Sequence, residues 1–313
     1  MSIFKTVKNA IRKYLINPLG YDLIPFKNGT FAREVKHFQQ AAERKENVHL
    51  HIDQYIELFG QEAVQERRFY NLGAEPNFNH PAWTVINHPS VHYGDSYMDL
   101  VWDLMSGEPL PIEDGKARVI FSRYTLEHVD DTAVNHFLQE AYRALIRGGY
   151  LRLIVPDIDI FYLAYLAKMP DVFYRPKQDL ENFPNEKFLQ NPNQTSFEQR
   201  FLWTFASNAS QLHPNGAAER ISDEEFREVF KTHGYEDALN YCTAKCSIGI
   251  QKKYPENHIN WFNANKLLGM IRQAGFETCY RSGYGQSRCP ILREVNLLET
   301  RQPEIGLFIE AIK

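Results

Sequence analysis

Residues 117–159 read ARVIFSRYTLEHVDDTAVNHFLQEAYRALIRGGYLRLIVPDID, and no other stretch constrains the fold as much. Residues 117–121 and 150–155 are apolar runs of strand length, the second rich in β-branched side chains. Between them Val134, Phe137, Leu138, Ala141, Tyr142 and Leu145 recur at helical spacing. Asp131 or Thr132 is placed to cap the start of this helix, and Gly148-Gly149 to stop it. Strand, helix and strand in this order form a crossover unit. The handedness rule makes its strands parallel and puts the functional loops at their C-terminal ends, after Phe121 and after Val155.

The surrounding chain supplies the rest of an α/β pattern. FYNLGAEPN, from Phe69, reads as a strand entering a glycine turn, WTVIN as the next strand, and residues 99–102 as a third that ends at Asp103. Near the end, 265–273 reads as a helix, 276–280 as a strand and 306–312 as a buried final strand. After Asp159 the pattern loosens. Segments 160–167, 196–207 and 222–232 look helical, the last opening on a Ser222/Glu225 capping box, and 176–194 is a polar, proline-broken loop. An insertion there is expected to cover the strand ends as a lid. Upstream, 31–68 looks helical. Residues 2–15 set Phe4, Val7, Ile11 and Leu15 against Lys5, Lys8, Arg12 and Lys13, a basic amphipathic helix suited to an anionic membrane surface or to docking on the protein's own body.

Composition removes several classes. With 43% hydrophobic residues over 313 positions the chain can bury a full core, and a net charge of -4 argues against a general nucleic-acid binder. Cys242, Cys246, Cys279 and Cys289 lack CxxC spacing and read as free thiols of a reducing compartment. No apolar run approaches the roughly 20 residues of a membrane span. Basic residues interrupt the first segment, so no secretory signal is expected, and the expected location is cytoplasmic with peripheral contact at the inner membrane face through residues 2–15.

NLGAEPN, WTVIN, DLVWDLMSGEPLP, VIFSRYTLEHV and FLQEAYRALIRGGYLRLIVPD, taken in this order, resemble the class I S-adenosylmethionine-dependent methyltransferases, most nearly those of bacterial surface-polysaccharide gene clusters. The resemblance covers 69–159 and, less closely, 258–313. It implies a doubly wound, mostly parallel seven-stranded sheet with a helical insertion after the fifth strand. The division expected is an N-terminal helical extension (1–68), a first core part (69–159), an insertion (160–257) and a last core part (258–313). A dinucleotide-binding reading lacks its GxGxxG after the first strand.

The implied cofactor is S-adenosylmethionine, and the family pattern assigns it residues. Gly73 keeps the loop after the first strand open, while Glu75 stands where a second glycine is usual. Asn87 stands where an acid usually accepts the ribose hydroxyls, Asp103 matches an adenine-contacting position, and Phe121, Ser122 and Arg123 flank the methionine end. For activation of a hydroxyl acceptor, His128 of LEHV is the leading base, its alternative being a structural histidine that holds the loop, with His258 and His213 as rivals whose structural reading weighs more. Asp157, with Asp159, lies just past the fifth strand, within reach of a substrate; that pair offers too few ligands for a metal, and none is expected. Tyr162, Tyr165, Trp203 and Phe205 read either as core packing or as a wall for a sugar ring. The activity so implied is O-methylation of a sugar, glycan or related small metabolite. The alternative, resting on Glu75 and Asn87, is a silent methyltransferase-like domain that binds or scaffolds a partner.

Overall fold

The computed structural model describes residues 51–75, 78–88, 98–174, 195–300 and 302–313. The expected basic helix at 2–15 and the loop at 176–194 lie outside these residues.

Seven strands form one sheet: β1 (Phe69–Leu72), β2 (Trp83–Asn87), β3 (Leu100–Val101), β4 (Ala117–Arg123), β5 (Leu145–Pro156), β6 (Thr278–Arg281) and β7 (Gly306–Ile312). Their order is β3-β2-β1-β4-β5-β7-β6. Pairs among β1 to β5 are parallel, and β7 runs antiparallel to both β5 and β6. The order reverses between β1 and β4, so the crevice beyond the ends of these two strands is the switch point where doubly wound sheets take their ligands.

Both sheet faces are covered, as burial of parallel strands requires. On one face Val134, Phe137, Leu138 and Ala141 of α3 (Asp131–Ala144) meet Ile120, Leu151 and Leu153, joined by Leu267 and Ile271 of α9 (Ala264–Gln273). On the other, Val119, Phe121 and Ile154 pack with Phe69, Trp83 and Phe308 beneath Tyr55 of α1 (Ile52–Phe59) and Ala63 of α2 (Gln61–Gln65). The alternation of Val119, Ile120 and Phe121 between faces is the period of two of a strand. Tyr55 also accepts a hydrogen bond from the Trp83 indole at 2.8 Å, fixing α1 to the sheet.

A third apolar cluster belongs to helices that follow β5. These are α4 (Ile158–Leu166), α5 (Phe197–Phe205), α6 (Asp223–Thr232), α7 (Tyr235–Ala244) and α8 (Ile248–Gln251). Phe161, Tyr165, Phe201, Phe205, Phe226 and Leu239 fill it. Tyr162 stacks on Tyr235 at 4.3 Å and Phe205 is buried, so these aromatics serve packing.

The crossover differs from expectation at both ends of its helix. Asp130, not Asp131 or Thr132, is the N-cap, accepting from the Ala133 amide at 2.9 Å. The helix ends at Ala144, and Gly148-Gly149 lie inside β5 rather than stopping the helix. The Gly148 amide donates to the Lys313 carbonyl at 2.6 Å and the Lys313 amide to Gly149 at 3.1 Å, while Gly148 takes φ +78°, so the glycines form an irregularity within β5, where the register against β4 shifts, instead of a helix stop.

The β5–β7–β6 half of the sheet encloses charge. Arg152 is fully buried and donates to Glu299 Oε1 at 2.8 Å and Glu310 Oε2 at 3.3 Å. It also donates to the carbonyls of Gln286 and Gly283, both at 2.9 Å, and the Glu310 carboxylate accepts from the Arg288 amide at 3.0 Å. Removing one member of a buried charge set strands the others. Arg152→Ala is therefore expected to lower unfolding stability by about 3–5 kcal/mol in a urea titration, with Glu299 and Glu310 left facing each other.

Candidate active site

Four strand ends and two loops surround the switch point. At the end of β1, Gly73 has φ +74°, and a Cβ there would lie 2.1 Å from Thr125 Oγ1. The glycine is required by the close approach of the β1 and β4 loops as much as by its own backbone. Two residues on, the Glu75 carboxylate forms an ion pair with Arg123, the last residue of β4. Arg123 also donates to the Thr300 hydroxyl at 3.1 Å. At the end of β2, Asn87 Nδ2 donates to the Ala74 carbonyl at 3.0 Å, an arrangement that ties the two loops and turns the amide to the β1 side. Asp103 caps its own turn through the Met105 amide at 2.9 Å.

β4 ends in three different roles. Phe121 is buried and edge-on to Trp83 at 6.3 Å, so its side chain belongs to the core while its backbone borders the crevice. The Ser122 hydroxyl is also buried and makes no hydrogen bond among the described residues. Tyr124 follows with φ +50°, costly for a residue with a Cβ, held by its hydroxyl on the Gln302 carbonyl at 2.7 Å and its amide on Ile154 at 2.8 Å. That reversal delivers the short helix Leu126–His128 to the crevice rim.

His128 meets His258 there, with ring centroids 4.9 Å apart. His128 Nδ1 lies 3.0 Å from the Asn257 carbonyl and His258 Nδ1 lies 2.7 Å from the Thr204 carbonyl. A carbonyl only accepts, so both rings carry a proton on Nδ1, and in the neutral form Nε2 is the lone-pair atom of each. Beneath them Glu127 is 1% exposed, and one of its carboxyl oxygens has no hydrogen-bond partner among the described residues. Burial pushes its carboxyl up to about 8. His213 sits elsewhere, stacked on Trp203 at 5.9 Å and bonded to the Asn257 side chain at 2.9 Å, with burial holding its imidazole below the usual range.

Asp157 closes the end of β5. Its carboxylate accepts from Arg281 at 2.7 Å and from the Asp159 amide at 3.2 Å, while Asp159 accepts from the Tyr235 hydroxyl at 3.0 Å. The structure thus brings together Glu75 with Arg123, and His128 with His258. Asp157 is held by Arg281, and Asp103 by its own turn. Glu127 had no role assigned from sequence, because the LEHV motif was read through its histidine; the glutamate's burial against 257–260 comes from a segment far along the chain.

Residues 76–153 match the family described as a methyltransferase domain. The chain carries a methyltransferase domain. The cofactor of such a domain is S-adenosylmethionine, and the switch point of this chain's own sheet lies where the matched residues begin. No curated protein matches the chain. Among solved structures it is similar to an S-adenosylmethionine-dependent methyltransferase, possible histamine N-methyltransferase, from Thermotoga maritima. That likeness has 15% identity, 90% of this chain, 96% of that chain and a TM-score of 0.34. A methyltransferase from Mesorhizobium loti is 14% identical, with 80% and 96% covered and a TM-score of 0.35. PigF with SAH is 12% identical over 78% of this chain and 50% of that chain, TM-score 0.33, so this chain spans about half of PigF's length.

The crevice of the methyltransferase domain fits its cofactor on the chain's own geometry. Glu75 and Arg123 are an anion and a cation side by side at the switch point, the complement of an amino acid's ammonium and carboxylate. The Ser122 hydroxyl, on the next residue of β4, is a buried polar group with no hydrogen-bond partner among the described residues.

Asp157 yields a pH dependence. Burial outweighs the attraction of Arg281 and raises its carboxyl to about 6. Between about 4 and about 6 the folded protein then holds more protons than the unfolded chain, so stability falls as pH rises through this window and levels off above it. Measured against Asp157→Asn by urea unfolding, the wild-type advantage should shrink by roughly 3 kcal/mol across that window; a flat difference would contradict it.

Proposed function

We propose that this methyltransferase acts on oxygen, methylating a hydroxyl of a sugar, a glycan end or a related small metabolite. In this reading Gly73, Glu75, Asn87, Asp103, Phe121, Ser122 and Arg123 form the donor side, and His128 and Asp157 the acceptor side. The single observation that carries it is the histidine pair at the end of the β4 loop. An alcohol is a poor nucleophile at neutral pH and must be relieved of its proton; an amine acceptor needs only to arrive deprotonated. Two imidazoles whose Nδ1–H groups are committed to main-chain carbonyls use Nε2, in their neutral form, as the lone-pair atom through which a hydroxyl is engaged.

The cofactor supplies an activated methyl group on a sulfonium. The chain's work is to align the acceptor in line with it and to exclude water, which accounts for much of the rate in a displacement of this kind. Glu75 and Arg123 hold the donor's amino-acid end, Asn87 accepts from a ribose hydroxyl through its amide oxygen, and His128 orients the acceptor. Asp157, anchored by Arg281, borders the acceptor side at the foot of the insertion.

The Glu75–Arg123 ion pair also favours a second reading, a silent domain whose turn is closed by its own side chains. Calorimetric titration with S-adenosylmethionine and S-adenosylhomocysteine separates the two. Binding is expected, Glu75→Gly should weaken it about tenfold or more through loss of a charge-assisted bond, and a gain in affinity would mark the carboxylate as an obstacle. With methyl-labelled cofactor and a panel of sugar, nucleotide-sugar and amine acceptors, label should enter an ether. His128→Ala should lower turnover by about 10²–10⁴-fold while leaving cofactor affinity unchanged. Label in amines alone would overturn the oxygen assignment.

A further inference from the structure

The geometry points to a divalent transition-metal site built from Glu127, His128 and His258, at which one carboxylate oxygen and two imidazole Nε2 atoms converge on a single cation. One ligand atom from each residue lies within 4.8 Å of the other two. Ligands around zinc at bonds of about 2.1 Å stand about 3.4 Å apart, so closure from the present separations requires shifts of an ångström or so.

Three features separate this cluster from a chance meeting of polar groups. The first is the buried carboxyl oxygen of Glu127, which has no hydrogen-bond partner among the described residues and belongs to a residue 1% exposed. An unmet buried acceptor of this kind costs about 1–3 kcal/mol, and a cation between it and the imidazoles removes that cost. The second is the outer support. Metal-bound histidines characteristically donate their other ring N–H to a main-chain carbonyl or carboxylate, which fixes tautomer and ring direction. His128 does so to Asn257 at 3.0 Å and His258 to Thr204 at 2.7 Å.

The third is rigidity of the backbone that carries the ligands. The His258 amide donates to Ser207 Oγ at 2.9 Å and its carbonyl accepts from the Ser207 amide at 2.9 Å. Gln251 Nε2 donates both to the His128 carbonyl at 2.9 Å and to the Asn257 carbonyl at 2.8 Å. Both histidine-bearing segments are therefore pinned to each other before any cation arrives.

Two imidazoles and one carboxylate suit Zn²⁺, Co²⁺, Fe²⁺ or Mn²⁺ rather than Mg²⁺ or Ca²⁺, which prefer all-oxygen shells. A three-residue set leaves a coordination position open for an oxygen ligand, water or a hydroxyl, whose acidity the cation raises; with the cation bound, His128 would act on the hydroxyl through it instead of directly through Nε2. That last role rests on the oxygen-acceptor reading above; the binding itself does not. The Asp157–Asp159 pair, the site weighed from sequence, carries Arg281 and Tyr235 as partners instead.

The test uses the full chain without an affinity tag, stripped with EDTA and titrated with Co²⁺ by visible absorption and with Zn²⁺ by calorimetry. One equivalent of each is expected, with d–d bands for cobalt. Glu127→Gln, nearly isosteric, and His258→Gln should each weaken binding by about 10–100-fold, whereas His233→Ala, a histidine at the end of α6, should not. Circular dichroism melting confirms that each variant is folded. The inference is overturned if the wild type shows no saturable site, or if wild type and both cluster variants bind alike. Cobalt binding needs no methyl donor, so a chain that failed to bind S-adenosylmethionine would still report on the cation. Full-rate methylation of a hydroxyl by the stripped protein would overturn the cation's role and leave the oxygen assignment standing.

Discussion

The carbonyl of Glu127 accepts two amides, Ile259 at 2.9 Å and Asn260 at 3.2 Å, and the site depends on that clasp. Around it the Asn260 side chain donates to the Val129 carbonyl at 3.0 Å and to Asp131 at 2.9 Å, and Lys266 pairs with Asp131 at 2.8 Å. Each such bond contributes only about 1 kcal/mol net. Their geometry matters more than their sum. They join the loop after β4 to the segment that leads out of the helices into α9, and so place His258 against His128. Were the clasp absent, the two histidines would sit on separate pieces of chain with no reason to share a rim.

Two kinds of adhesion hold the sheet behind that rim. From β2 to β4 the strands are parallel, largely buried on both faces and held mainly by main-chain pairing and apolar contact, while the edge strand β3 leaves Val101 exposed. From β5 to β6 the pairing is antiparallel and its interior holds Arg152, Glu299 and Glu310. Arg152 and Glu310 stand opposite each other in register, as do Tyr280 and Glu310. Apolar contact tolerates a slip of strand register better than a charge does, since a slip of one residue would carry Arg152 to the other face and leave it unpaired. The charged half therefore sets the register of β7, and β7 in turn sets the Lys313 pairing with Gly148 and Gly149 within β5.

Much of this was legible in the sequence where local periodicity and burial agree. Val134, Phe137, Leu138 and Ala141 recur at the helical period and do face the sheet, and β1, β2, β4 and β7 fall where alternation and turn residues placed them. The errors are tertiary. A Gly-Gly pair normally ends a helix, but pairing with Lys313 overrides that preference, and β6 begins at Thr278 rather than 276 because its extent is set by β7. In the site, Gly73, Glu75, Asn87 and Arg123 could be placed at strand ends from the family resemblance. Their partners could not: whether Glu75 turns to Arg123 or away depends on the packing of two loops, and no local signal announces that His258 meets His128 or that Glu127 is buried between them.

The Glu75–Arg123 pair decides how far a departure from the usual glycine turn matters. Glu75 keeps 32% of its side chain exposed and Arg123 only 8%, so the pair sits at the border of solvent, where such bridges contribute roughly 0–1 kcal/mol. A zwitterionic ligand offers each partner a replacement of like charge and like geometry, carboxylate for carboxylate and ammonium for guanidinium. Opening the pair then exchanges bonds one for one. What remains is positional: the carboxylate must turn from Arg123 to the ammonium within a tight loop, where a Cβ at Gly73 would lie 2.1 Å from Thr125 Oγ1. In the proposed reading Glu75 therefore acts through where its carboxylate is aimed once released by Arg123, more than through the strength of the bond it leaves.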